Sequence, residues 1–449
     1  MSKQTSCPGH EKLYKTSKAP SSIWMLKSLK SLDLSGCSKL GNLGVFKGLI
    51  YKSWCSFFSS WTLVPKGVDS IGLSRTLVQP NSCLTELNLE NCHLSYLSEE
   101  IGNLISLRTL NLAGNNLSTL PDSICNLTCL KDLVVGNNKL SHLPSEIGDL
   151  DSLKTLYLQD NKGLRALPES ICKLVRLRQL GLSGCNLSHL PSGIGGLTSL
   201  FYLNIEENNI CTIPDSISNL PCLDWILLNK CAKLRSLPKL PTCIVVEANC
   251  CPSLESLPLE LDQLGWGKVD YSECSKLAEN SYLTSLLKQL PKSKGLSELK
   301  GLFDIIVPVG EEELRIWFPY HEGPNISFVV PPSPSVNQEM LSWILRLVIW
   351  APRGVEGTVW FGDVIRNKIR YDDVFLSSEA FPTDVDHVWL FHIQQGHKGL
   401  QLEGGDEVEV EILMCGGGVV KNWAIDVIYE ADDELHNGND TLYHVVGPI

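Results

Sequence analysis

No run of 18 apolar residues occurs in this 449-residue chain, and its most apolar stretch, Ile344–Ala351, contains Arg346. A membrane-spanning helix is therefore not expected. The opening MSKQTSCPGHEKLYKTSK carries charge but no apolar core, so no secretory signal is expected either. Long basic runs are missing: 38 Lys and Arg against 50 Asp and Glu give a net charge of −12. That balance argues against nucleic acid or an anionic membrane as the main partner. Catalytic signatures are equally scarce. There is no GxxxxGK[ST], and the nearest text, Gly265-Trp266-Gly267-Lys268, lacks both the spacing and the hydroxyl. GxSxG, HExxH and DFG are absent too. Gly416–Gly418 lies between two strand-like runs and reads as a loop, not a phosphate cradle. These absences predict a protein with no catalytic, cofactor-binding or metal-binding residues.

Beyond residue 300 cysteine almost disappears, since only Cys415 of the 17 lies there, and leucine thins out alongside it. Tryptophan runs the other way, with six of 11 in the last third. Composition thus predicts two modules.

The first module is repetitive. Units begin at Leu84, Leu107, Leu130, Leu153, Leu177, Leu200 and Leu223, at steps of 23, 23, 23, 24, 23 and 23 residues. One copy reads Leu107-x-x-Leu110-x-Leu112-x-x-Asn115-x-Leu117-x-x-Leu120-Pro121-x-x-Ile124-x-x-Leu127. An earlier copy starts at Leu29, preceded by the end of a unit, and a decayed one spans Cys243 to Pro258. Period-two leucines turn one face of a short strand into a core. An inward Asn or Cys at the ninth position can bond backbone groups left unpaired at the turn. A unit of this kind cannot bury its face alone, so stacked copies supply the stability. This is a leucine-rich repeat array.

Cys92, Cys185, Cys231 and Cys251 fall at the ninth position, as does Cys37 in the early copy. Cysteines in register with a repeat are most simply small buried hydrophobes, and no Cys/His quartet has zinc-finger spacing. Three N-x-S/T sequons, at Asn116, Asn126 and Asn186, arise mainly from the repeat's own wording. The 23-residue period, with LP and no preceding glycine, favours an intracellular protein, cytoplasmic with the nucleus as a second compartment.

The strand face of such an array usually binds partners. Its outward positions supply the candidates Glu86, Asn88, Asp132, Tyr157, Gln159, Tyr202, Asn204, Glu206, Glu207 and Trp225. Tyr157, Tyr202 and Trp225 would form an aromatic stripe, because exposed aromatics offer large contact area at small entropy cost. A solvated face that happens to carry aromatics is the plainer alternative.

Residues 41–83 interrupt the array, residues 1–28 are an incomplete repeat, and the repeats are expected to run over 29–262. A partly helical linker is expected over 263–300. After it, short apolar runs bounded by Gly, Pro and Asp predict strands near Phe303–Val309, Leu314–Tyr320, Ile326–Val330, Trp343–Trp350, Thr358–Val364, His387–Ile393, Glu407–Met414 and Trp423–Glu430. Eight such strands predict an all-β sandwich over 301–432, with 433–449 an acidic, frayed tail. Glu407, Glu409 and Glu411 mark one wet strand face. His387 and His392 share an apolar strand and read as structural.

LKSLDLSGCSKL (29–40), LRTLNLAGNNLSTLPDSI (107–124) and CAKLRSLPKLPTCIVVEANCCPSLESLP (231–258) resemble the repeats of plant TIR-type nucleotide-binding leucine-rich-repeat disease-resistance proteins. VDYSECSKL (269–277) resembles that family's Cys-containing stretch after the repeats. IVPVGEEELRIWFPYHEGPNISFVVPP, DHVWLFHI and NWAIDVIYE resemble its C-terminal jelly-roll/Ig-like domain, the C-JID. Trp317 and Phe318 match motif positions there, although the expected proline is missing. The family's TIR domain and nucleotide switch are not in this sequence. The resemblance implies the sensing half of an immune receptor. It would bind a pathogen effector or guarded host protein, alongside TIR and nucleotide-binding domains of a longer receptor. A stand-alone repeat scaffold regulating another signalling protein is the alternative.

Overall fold

The computed structural model describes residues 10–12, 30–36, 84–241, 245–257, 267–280, 303–310, 314, 326–333, 339–351, 357–371, 378–380, 383–414, 419–429 and 441–445. The chain divides into two compact units, Met1–Asn208 with Asn219–Leu223 and Asn209–Ser218 with Asp224–Ile449.

In the first unit each repeat contributes a three-residue strand. Ser31–Asp33, Glu86–Asn88, Thr109–Asn111, Asp132–Val134, Thr155–Tyr157, Gln179–Gly181 and Tyr202–Asn204 pair in that order, all parallel. The early repeat therefore pairs directly with the one at Leu84 despite the insertion, which lies outside the described residues. His10–Lys12 adds a parallel strand beside Ser31–Asp33, within the segment expected to hold only an incomplete repeat. Opposite the strands run short 3-10 turns such as Asp122–Asn126 and Glu169–Lys173, each entered through a proline, Pro121 or Pro168, held at φ −68. The repeat leucines and isoleucines are buried; Leu110, Leu112, Ile124 and Leu127 are each 0% exposed.

The ninth position carries the polar stitching. Asn115 donates through Nδ2 to the carbonyls of Leu89 (2.9 Å) and Leu112 (2.8 Å), and its Oδ1 accepts from the N–H groups of Cys92 (3.0 Å) and Leu94 (2.9 Å). Asn138, Asn161 and Asn208 repeat the scheme. One side chain thereby satisfies donors and acceptors of two turns that would otherwise be buried unpaired.

Spacing decides where cysteine can replace asparagine. Leu117 follows Asn115 by two residues, and its N–H needs the Oδ1 of Asn138, 3.0 Å away. Leu164 follows Asn161 by three, and its N–H turns back to the Asn161 carbonyl at 2.9 Å. The next repeat then has to supply only a donor, and Cys185 does so, its thiol donating to Leu158 O at 3.1 Å. Leu234 and Leu254 likewise bond back to Cys231 and Cys251, both at 3.0 Å. The repeats after them carry Cys251 and Cys274, whose thiols donate to Leu228 O (3.3 Å) and Ala248 O (3.0 Å). Cys231 itself follows the short Asn208–Ile210 spacing and departs from the rule.

In the second unit Trp225–Leu227, Val245–Glu247, Gly267–Asp270 and Phe303–Pro308 form a parallel ladder. The linker expected over 263–300 thus holds, in its described part, one more repeat. Val269, Tyr271, Cys274 and Leu277 occupy the spacing of Val246, Ala248, Cys251 and Leu254, and all are buried. Without leucines in its strand that repeat was not visible as one.

From Phe303–Pro308 the same sheet turns antiparallel, continuing through Thr383–Gln394, Met340–Ala351, Val419–Tyr429 and Thr441–Val445. A second sheet orders Ile326–Val329, Glu407–Met414, Gly357–Arg366 and Ile369–Tyr371, with Ser378–Ala380 also paired to Gly357–Arg366. Trp343, Leu345, Trp389 and Ile425 of the first sheet and Phe328, Val364 and Val408 of the second share one buried core. Arg346 and Asp426, 3% and 2% exposed, form a two-pronged ion pair at 2.8 and 2.9 Å. His387 is buried and accepts the Glu273 N–H on Nε2 at 3.0 Å, tying this sheet to the last repeat.

Among the described residues beyond 303, three strands escaped the sequence reading: Ile369–Tyr371, Ser378–Ala380 and Thr441–Val445. The last corrects the frayed tail, because Thr-Leu-Tyr-His-Val is a β-prone run that extends the sheet beside Val419–Tyr429. Of the strand expected over Leu314–Tyr320, Leu314 is helical, its N–H bonded to Gly310 O at 3.1 Å; the rest lies outside the described residues. Glu407, Glu409 and Glu411 are exposed between buried Val408 and Val410, as the alternation predicted.

Candidate functional site

Within the first unit, strand register decides which predicted contact residues meet. Tyr157 lies opposite Gly181, Gly181 opposite Asn204, and Gln179 opposite Tyr202. Gly181 is what opens the surface. A Cβ there would stand 2.7 Å from Tyr157 Cδ1, so the absent side chain lets the tyrosine ring lie across the next strand. Gln159 leans the other way, over Gly136, where a Cβ would meet its Cδ at 2.8 Å. Between them opens a hollow of about 290 Å³, lined by Tyr157, Gln159, Gln179, Gly181, Ser183, Tyr202 and Asn204.

The lining is neutral and rich in hydrogen-bonding groups. Tyr157 Oη donates to Gln179 Oε1 at 2.5 Å, and Asn204 Nδ2 donates to Tyr202 Oη (3.3 Å) and Glu206 Oε2 (2.9 Å). Burial, with smaller contributions from Tyr202 and Asp132, pushes the Tyr157 hydroxyl above the usual tyrosine range, so it is a donor at neutral pH. Gln159 Oε1 is buried with no hydrogen-bond partner among the described residues, so its amide must turn before that acceptor can serve an arriving group.

Some predicted contacts are partly structural. Asn88 and Asn204 spend Oδ1 on the N–H groups of Glu90 and Glu206, turning the chain out of its strand. Asp132 Oδ2 accepts from Thr109 Oγ1 at 3.4 Å. Glu86 is exposed on a strand separated from Thr155–Tyr157 by two others, away from the hollow. Glu207 has φ +54 at a position held in the other repeats of the first unit by Asn91, Gly114, Asn137, Asp160 and Gly184, and in the second unit by Lys230, Cys250 and Glu273. A glutamate tolerates that conformation less readily than Asn, Asp or Gly. Trp225 is 39% exposed but belongs to the other unit. Trp317 and Phe318 lie outside the described residues. Gln179, an outward strand position, also lines the hollow, together with Gly181 and Ser183, which sequence reasoning did not single out. A glycine between aromatic residues of neighbouring registers was the signal available.

With this geometry in place, comparison with known proteins is informative about family. The leucine-rich repeat region model matches residues 82–166 and 165–344, more than half of the chain. The chain belongs to the leucine-rich repeat proteins. No curated protein matches this leucine-rich repeat chain. Similar solved structures include the leucine-rich repeat domain of the type III effector XopL, 26% identical, covering 44% of this chain and 71% of that one at TM-score 0.38. The LRR ectodomain of the plant membrane receptor kinase GASSHO1/SCHENGEN3 from Arabidopsis thaliana is 18% identical, over 57% of this chain and 31% of that one, at TM-score 0.38. A Leptospira interrogans LRR protein is 23% identical, over 61% and 92%, at TM-score 0.27. Leucine-rich repeat domains bind other proteins, and the repeats here make such a domain. Among the described residues no helix is long and apolar enough to cross a membrane.

Proposed function

We propose that this chain is a non-catalytic recognition module that binds a protein partner through the strand face of its first unit. The observation that carries this reading is the hollow over Gly181, a preformed polar recess between two tyrosines on a hydrogen-bonded ladder. Rigid aromatics around a recess at a site fixed by backbone pairing suit an inserted partner side chain. The resemblance in the sequence makes the partner a pathogen effector or a guarded host protein. The module would then be the sensing half of an intracellular plant immune receptor, acting in the cytoplasm or nucleus. The two C-terminal sheets would be its jelly-roll/Ig-like C-JID domain, whose loops, with Trp317 and Phe318, add a second contact region.

The test is capture of candidate effectors and host proteins on the immobilised chain, followed by titration of whichever binds. Tyr157→Ala with Tyr202→Ala should abolish binding while the chain stays folded, its melting temperature lowered by only a few degrees. Retained affinity in the double variant would sink the assignment, and so would unfolding caused by these two changes.

A further inference from the structure

The second residue of each repeat precedes the strand and stacks on its counterpart. The N–H of Arg108 donates to Thr85 O at 2.7 Å, that of Lys131 to Arg108 O at 2.7 Å and that of Lys154 to Lys131 O at 2.7 Å. Arg178 continues to Lys154 O and Phe201 to Arg178 O, both at 2.8 Å. Four consecutive cations therefore form a column at strand spacing, about 4.8 Å. Arg108, Lys154 and Arg178 are exposed and Lys131 is half-buried. None of the four is ion-paired among the described residues. The column ends on Phe201, an aromatic left 42% exposed. Like charges carried side by side on neighbouring strands repel one another until an anion covers them.

We propose that this column docks an acidic helical segment of a protein partner, laid across the strands, with an apolar residue meeting Phe201. The proposal rests on the strand-face reading above and adds the chemistry of the partner. Pitch selects the helix. Carboxylates repeated once per turn recur about every 5.4 Å, so over three steps they drift only about 2 Å from the column, within reach of flexible Lys and Arg side chains. An extended peptide repeats the same side about every 6.7 Å and drifts about 6 Å. Width selects against a polyanion. The next strand position carries Glu86 and Asp132, and Glu90, Asp160, Glu206 and Glu207 follow past the far ends of the strands, so the same face repels anything negative on more than one side. A helix with one acidic face presents its charge to the column alone.

The experiment uses the full chain and a fluorescein-labelled alanine-based peptide of about 16 residues, with Glu once per turn and Leu at one end. Fluorescence anisotropy should show binding that weakens as salt rises from about 50 to 200 mM. Each single change of Arg108, Lys131, Lys154 or Arg178 to Gln should lower affinity about two- to five-fold, and the quadruple variant should lose it. A chain with all four changed to Glu should instead bind the peptide carrying Lys in place of Glu, which excludes simple misfolding. Equal binding of a Gln-for-Glu peptide, of a proline-interrupted acidic peptide or of a 16-nucleotide RNA would overturn the proposal, as would full affinity in the quadruple variant. Tyr157→Ala with Tyr202→Ala should leave peptide affinity within about two-fold. If the tyrosine variant alone loses the peptide, the column is refuted and the hollow is the peptide's site. If a captured partner is lost with the tyrosines but kept by the quadruple variant, the strand-face reading stands and the column fails.

Discussion

Tyr157 and Gln179 share a 2.5 Å hydrogen bond between neighbouring strands, and that bond holds the tyrosine ring down over the Cα of Gly181. The recess exists because three positions agree: a donor that reaches, an acceptor that waits and a residue with no side chain between them.

Replacing Gly181 by Val should close the recess. The new side chain must displace the Tyr157 ring, at a stability cost of about 1–3 kcal/mol, and partner affinity should fall at least about ten-fold. Tyr157→Phe keeps the ring and loses only the hydroxyl bond, so it should cost about 1 kcal/mol and leave the recess open. Calorimetric titration of the two variants against a captured partner separates shape from hydrogen bonding. Equal losses in both would remove the glycine from the explanation.

Glu207 holds a left-handed backbone at a position given to Asn, Asp or Gly in the other repeats of the first unit. Glu207→Gly should raise stability in urea by about 0.5–1 kcal/mol while weakening partner binding. A stabilised variant with unchanged binding would make the strained glutamate a neutral substitution.

Asparagine and cysteine at the ninth position should not exchange freely. Asn208→Cys strands the N–H groups of Asn186 and Leu187, which bond its Oδ1 at 3.0 and 2.8 Å, and should cost about 2–5 kcal/mol. Cys185→Ala removes a single thiol donor and some packing and should cost about 1–2 kcal/mol. Hydrogen exchange should localise the loss to the flanking repeats, because each repeat is held mainly by its neighbours. A milder effect at Asn208 than at Cys185 would contradict the spacing rule.

Alkaline pH should expose the same thiol. Burial pushes Cys185 up to about 11 from a reference of 9.0. Below the reference value both folded and unfolded thiols keep their protons, so the full stability is present. Between pH 9.0 and about 11 the unfolded chain ionises first, and stability is lost as pH rises. Urea melts at increasing pH should show a steeper loss for the parent than for Cys185→Ala. At neutral pH a maleimide should label exposed Cys129, Cys211 and Cys222 and spare Cys92, Cys185, Cys231, Cys251 and Cys274 in peptide mapping.

The repeat strands from Glu86 to Leu227 were legible because leucine spacing fixes both strand and register. The repeat at Gly267–Asp270 was not, since Val269 and Tyr271 replace the leucines that announce it. The Asn/Cys rule was hidden for another reason: each choice depends on the turn length of the preceding repeat, a relation between ninth positions 20 to 24 residues apart. Of the site, the aromatic and acidic residues could be read as outward-facing. That Tyr157 and Tyr202 frame a recess depended on Gly181, which contributes nothing to any hydrophobic pattern.

The sheet that runs from Trp225–Leu227 through Gly267–Asp270 and Phe303–Pro308 into the antiparallel strands has a practical consequence for dissecting the molecule. Proteins are usually divided at linkers, and residues 263–300 look like one. A cut there would sever a continuous hydrogen-bonded ladder and leave two raw strand edges, each ready to pair with another copy. Neither half should be expected to stay monomeric, and an aggregate would reveal where the cut fell, not what the protein recognises.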